Sequence, residues 1–133
     1  LVQQRRLGRH MIFIEHCDEM PVAYGTANLV CSCSSEPEAF GRVSVEAQSM
    51  GLPIIASNIG GSTETIVKDK TGFLFKSGDA IDLADKIIMV MQKDYNALKN
   101  IGFEGRKNIL KKFDVDKMCH TTFTEYKKLI ELS

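Results

Sequence analysis

Between Leu29 and Ser57 the sequence lays out one complete strand–helix–strand unit, and that unit decides the fold class. Residues 29–33 read as a short strand. Residues 42–50 read as a helix, with Gly51 placed as its C-terminal cap. Residues 53–57 read as a second strand, whose proline holds the first position, where no ladder bond is lost. Strands that alternate with helices form βα units on a parallel sheet.

The rest of the chain extends the pattern. Met11 to Ile14 is an apolar run that suits a buried strand, and residues 20–27 form a short helix with Pro21 in the first turn. Residues 58–62 are a loop, 63–67 a short helix, 71–75 a fourth strand and 76–79 a turn. Helical stripes follow. One is Leu83, Ala84, Ile87, Ile88 and Met91; a weaker one lies over 95–112, interrupted by Gly102 and Gly105. The last runs Val115, Met118, Thr122, Phe123, Tyr126, Leu129 and Ile130. The expected fold is α/β, a partial Rossmann-like, doubly wound parallel sheet of four strands with helices on both sides. Four strands make a thin sheet, and the first residues carry neither an initiator Met nor the apolar core of a signal peptide. The chain therefore reads as part of a longer one, with further strands upstream.

Bulk chemistry removes several function classes. Among 133 residues, 17 basic side chains balance 17 acidic ones, so there is no basic surface of the kind that nucleic acid demands. No apolar run approaches the roughly 20 residues of a membrane span. Cys31 and Cys33 alternate along a strand expected to be buried and read as reduced core thiols, which fits a cytosolic compartment. Neither the four cysteines nor His10, His16 and His120 have the spacing of a metal site.

Chemistry concentrates in residues 35–47. Glu38 and Glu46, with seven residues between them, bracket a Phe-Gly turn that opens a helix. The N–H groups after Gly41 make a natural phosphate seat, and a carboxylate on either side can accept hydrogen bonds from sugar hydroxyls. A phosphate flanked by hydroxyl-rich groups describes a nucleotide sugar. In open α/β sheets such ligands lie beyond the carboxyl ends of the strands, so both carboxylates are expected at one cleft there. Each residue also has a plainer reading. Glu38 is then an acid favoured near a helix N-terminus, Glu46 and Arg42 are solvated helix residues, and the Gly60-Gly61 pair is a flexible turn.

The spacing of Glu38 and Glu46 resembles the E-x7-E motif of retaining glycosyltransferases with the GT-B fold, especially family 4 (glycosyl transferases group 1). Other segments match the family in the same order. They are Tyr24-Gly-Thr-Ala27, Glu38-Ala-Phe-Gly41, Glu46-Ala47, Gly51-Leu-Pro53, Gly60-Gly-Ser-Thr-Glu64, Thr71-Gly72 and the stretch from Asp79 to Ala84. The resemblance runs from about Met11 to the C-terminus.

By that resemblance residues 1–112 are a truncated nucleotide-sugar-binding Rossmann-like domain. Residues 113–133 are a helix that crosses back toward an N-terminal, acceptor-binding domain. Glu38 is the catalytic-site carboxylate, touching the transferred sugar. The backbone of Ala39, Phe40, Gly41, Arg42 and Val43 holds the distal phosphate and sugar. Glu46 takes the ribose hydroxyls, and Gly60 and Gly61 form a phosphate or sugar loop. No cofactor or metal is expected. The nucleotide sugar is a substrate, and the acceptor is a sugar or lipid-linked sugar. The location implied is cytoplasmic, peripheral at the inner face of a membrane in the intact protein. The family's G-R…K segment, which grips the diphosphate, has no match before Met11, and Glu15 stands where a Gly often follows the first strand. The sequence alone therefore predicts an inactive fragment that self-associates through its last helix. Two other classes fit less of the pattern: a non-catalytic Rossmann-like nucleotide-binding module, and a glycosidase using the two carboxylates as acid and nucleophile.

Overall fold

The computed structural model describes residues 2–131. Three parallel strands, β1 (Val30–Ser32), β2 (Ile54–Ser57) and β3 (Phe73–Phe75), lie in the order β1-β2-β3. Their register pairs Val30 with Ile54 and Ile55 with Phe73. The helices are α1 (Met20–Gly25), α2 (Arg42–Ser49), α3 (Ser62–Thr65), α4 (Ala80–Met91), α5 (Tyr95–Lys112) and α6 (Val115–Glu131). The α/β, doubly wound expectation holds.

Strand β2 is the centre of the molecule, and all four of its residues are buried. A strand covered on both faces reads as a continuous apolar run rather than an alternation, which is the character of Ile54-Ile-Ala56. Alternate side chains enter two cores. Ile54 and Ala56 join Tyr24, Ala47 and Ile66 beneath α1, α2 and α3. Ile55 joins Phe73, Phe75, Val90 and Ile101 beneath α4 and α5.

Three expectations fail. Met11 to Ile14 form no strand and are exposed, Ile12 at 89%. The sheet ends at β1, and no described strand offers these residues a ladder, without which so short a segment gains no stability as a strand. Cys31 and Cys33 are exposed rather than buried. They lie on the face of β1 opposite α2, and α4 packs chiefly on β2 and β3, leaving that face uncovered. On α4 the inward residues are Leu83, Ile87 and Val90, while Ile88 and Met91 point outward.

The weak stripe of α5 has a packing cause. A Cβ on Gly102 would lie 1.9 Å from the Gly51 carbonyl oxygen, and one on Gly105 would lie 3.1 Å from the Gln48 side chain. The glycines that interrupt the apolar pattern are the points where α5 presses against α2. Arg106 also donates to the Ser49 carbonyl. At Phe113 the helix is interrupted and α6 departs, with none of its described residues buried.

A candidate nucleotide-sugar site at the strand ends

The site is assembled from the loops that leave β1 and β2, together with α1. The loop after β1 turns at Gly41, which takes a left-handed conformation (φ +74°) and opens α2. A Cβ there would sit 3.1 Å from the Ser62 backbone nitrogen. The first N–H groups of α2, beginning at Arg42 and Val43, have no partner within the helix, and the helix dipole makes that end electropositive.

The loop after β2 lies directly against this turn. Gly61 N–H donates to the Glu38 carbonyl at 2.8 Å. A Cβ on Gly60 would fall 2.5 Å from that same oxygen, and one on Gly61 would fall 2.3 Å from the Phe40 carbonyl carbon. Only glycine permits this approach, so the pair has a structural duty, supporting the backbone of residues 38–40 from behind. Below it the buried hydroxyls of Ser44 and Ser62 meet at 3.4 Å and tie α2 to α3.

The two carboxylates have different partners. Glu38, half-buried, accepts from the Ser34 hydroxyl at the end of β1. Glu46 lies on the α1 side. Its Oε2 accepts from the Tyr24 hydroxyl at 3.0 Å, and its Oε1 accepts from Arg42 Nη2 at 3.0 Å. Burial of the Tyr24 ring and the neighbouring Glu46 carboxylate push the phenol up to about 12.

An open cleft of about 630 Å³ adjoins Glu46, with Met20, Pro21, Tyr24, Arg42 and Val43 among its walls. Glu38 does not line it, so the structure does not bring both carboxylates to the single cleft expected for them. Ala39 is exposed, and the Phe40 ring turns away to meet Phe113 edge-on, at 5.5 Å between centroids. Sequence reasoning assigned no site role to Tyr24 or Ser34. A tyrosine 22 residues before Glu46 gives no local signal, because only the packing of α1 on α2 brings the two together.

Among the described residues, no group of three or more His, Cys, Asp or Glu side chains could hold a metal ion, and no helix is long and apolar enough to cross a membrane.

Comparison with known proteins gives a consistent picture. The family described as Glycosyl transferases group 1 matches residues 1–108. The capsular polysaccharide biosynthesis glycosyltransferase CapM of Staphylococcus aureus is 33% identical over 104 residues, covering 78% of this chain and 27% of CapM. Among solved structures, sucrose-phosphate synthase from Thermosynechococcus elongatus superposes with a TM-score of 0.90 at 30% identity, over 99% of this chain and 33% of that one. HepE of Anabaena, solved with UDP-glucose, superposes with a TM-score of 0.88 at 27% identity, over 96% of this chain and 35% of that one. The chain thus spans about a third or less of the length of these relatives.

Proposed function

The chain belongs to the group 1 glycosyl transferases, and from that premise we propose that it is the donor-binding part of a retaining, family 4 enzyme. That enzyme moves a hexose or related sugar from a nucleoside diphosphate to an acceptor hydroxyl. The observation that carries this reading is the segment that opens α2, with Glu38 before the Gly41 turn, held by Ser34, and Glu46 about one helical turn beyond it, held by Tyr24 and Arg42 beside the cleft. A nucleotide sugar has its diphosphate between ribose and sugar, and along the chain the opening of α2 likewise stands between Glu38 and Glu46.

In this reading Glu46 accepts the ribose hydroxyls from its place beside the cleft. The distal phosphate meets the N–H groups of Arg42 and Val43. Negative charge grows on that phosphate as the glycosidic bond breaks, and a fixed dipole stabilises the change without reorganising. Glu38 orients the departing sugar through its hydroxyls, and the Gly60-Gly61 loop keeps the turn rigid. The leaving group is neutralised by helix and basic side chains, so turnover needs no bound metal. The acceptor, a sugar or lipid-linked sugar, is held by a further domain toward which α6 leads, and the enzyme works in the cytoplasm at the inner face of a membrane.

The test is donor binding and hydrolysis by the full-length protein across UDP- and GDP-linked sugars, with the anomeric configuration of the product read by NMR. Binding of one donor class and a product of retained configuration support the reading. Failure of every nucleotide sugar to bind would reject it and leave a non-catalytic module.

A further inference from the structure

We propose that Tyr24 is a positioning residue of the donor site: its hydroxyl sets the Glu46 carboxylate to receive both hydroxyls of a ribose, and so makes the site selective for ribo- over 2′-deoxyribonucleotides. The inference rests on the reading that Glu46 faces the ribose.

Glu46 has two partners of unequal stiffness. The Arg42 side chain is 84% exposed, and its contact with Oε1 is an i,i+4 pair on a solvated helix face, an interaction that holds geometry weakly. Tyr24 is 6% exposed, its ring packed in the core with Ala47, Ile54, Ala56 and Ile66. Its oxygen is therefore a fixed point, and the 3.0 Å bond to Oε2 transfers that fixity to a carboxylate that is otherwise one-third exposed and free to rotate.

The stoichiometry also fits. Each carboxylate oxygen can accept two hydrogen bonds. One is taken on Oε1 by Arg42 and one on Oε2 by Tyr24. One acceptor position then remains on each oxygen, matching the two donors of a vicinal diol. A 2′-deoxyribose supplies one donor and leaves the other acceptor unmet. The phenol is raised to about 12, so it keeps its proton and acts as a donor throughout the neutral range.

The experiment measures calorimetric Kd values for UDP and GDP, each beside its 2′-deoxy analogue, on the full-length wild type, Tyr24→Phe and Glu46→Ala. The wild type should favour the ribonucleotide about tenfold or more, and Glu46→Ala should erase that preference. Tyr24→Phe should weaken the ribonucleotide about five- to tenfold and leave the deoxynucleotide within twofold. In transfer assays it should raise the donor KM with little change in kcat. If Glu46→Ala erases the preference while Tyr24→Phe keeps it, or loses both ligands equally, the positioning role fails and the reading of Glu46 stands. If the wild type has no preference, or binds none of the four, both fail together. A second measurement needs no variant. The Tyr24 13Cζ resonance in wild-type protein should shift at least twice as far on saturation with the ribonucleotide as with its deoxy analogue. Equal shifts overturn the proposal even if Tyr24→Phe does not fold.

Discussion

Glu38 and Glu46 differ in what surrounds them, and their substitutions should separate accordingly. Glu46 adjoins the cleft, so Glu46→Ala should chiefly weaken donor binding. Hydrogen bonds to a charged group are worth about 1.5–3 kcal/mol, or roughly ten- to hundredfold in affinity. Glu38→Ala should lower kcat more than it raises donor KM, because positioning the sugar matters most as the bond breaks. Steady-state kinetics on the full-length protein check both, and an exchange of the two phenotypes would reverse the assignment. Tyr24 adds a pH signature. Its folded pKa, about 12, lies above the ordinary value of 10.0. A group raised on folding contributes stability that is fully present below the unfolded pKa and is lost as pH rises through the folded one. Denaturant midpoints should therefore fall between about pH 10 and pH 12, and Tyr24→Phe should flatten that limb relative to the wild type.

At the scale of elements, glycines mark where segments touch. Gly61→Ala would drive a Cβ into the Phe40 backbone, and backbone cannot yield as a flexible side chain can. The turn must move, so donor affinity and turnover should both fall although no side chain near the ligand has been removed. Gly102→Ala meets the Gly51 carbonyl between α5 and α2. Overpacking of this kind costs about 1–3 kcal/mol, visible as a lower Tm, with less effect on the α2 N-terminus at the other end of that helix. Gly25→Ala is the control. Nothing lies within 4 Å of its Cβ position, so thermal unfolding should be unchanged or slightly improved. Equal losses from all three would mean that close approach is not what these positions demand.

For the whole molecule, the chain spans 27% of CapM and 33% of the sucrose-phosphate synthase, and in the proposed reading it supplies one wall of a cleft. A purified 1–133 protein should transfer no sugar, because stabilising the transition state needs partners on both sides of the reacting bond. Transfer by that protein, free of contaminants, would contradict the proposal. The full-length enzyme should keep its activity in EDTA, and loss restored by a divalent ion would overturn metal independence. Helix α6 exposes Val115, Met118, Phe123 and Tyr126, and apolar surface on this scale draws partners. Light scattering of the 1–133 protein should therefore rise with concentration faster than for a monomer.

Much of this was legible in the order of residues, for a physical reason. Period and punctuation are local: a proline at a strand start, a glycine at a helix end and an apolar run each act on neighbouring backbone. The unit from Leu29 to Ser57 formed nearly as read, with β1, α2 and β2 each shifted by only a residue or two. The order of Glu38, Gly41 and Glu46 is local in the same sense, since one tight turn and little more than one turn of helix fix where they lie. What needed the tertiary structure was every contact between distant segments. Met11 to Ile14 has a strand's composition but finds no ladder, and Cys31 and Cys33 have a core's composition on an uncovered face. The gaps at Gly102 and Gly105 look like weakness in a helix and are the contact between two. The bond from Tyr24 to Glu46 joins residues that no periodicity relates, because it exists only after α1 and α2 have buried their faces against the same strand.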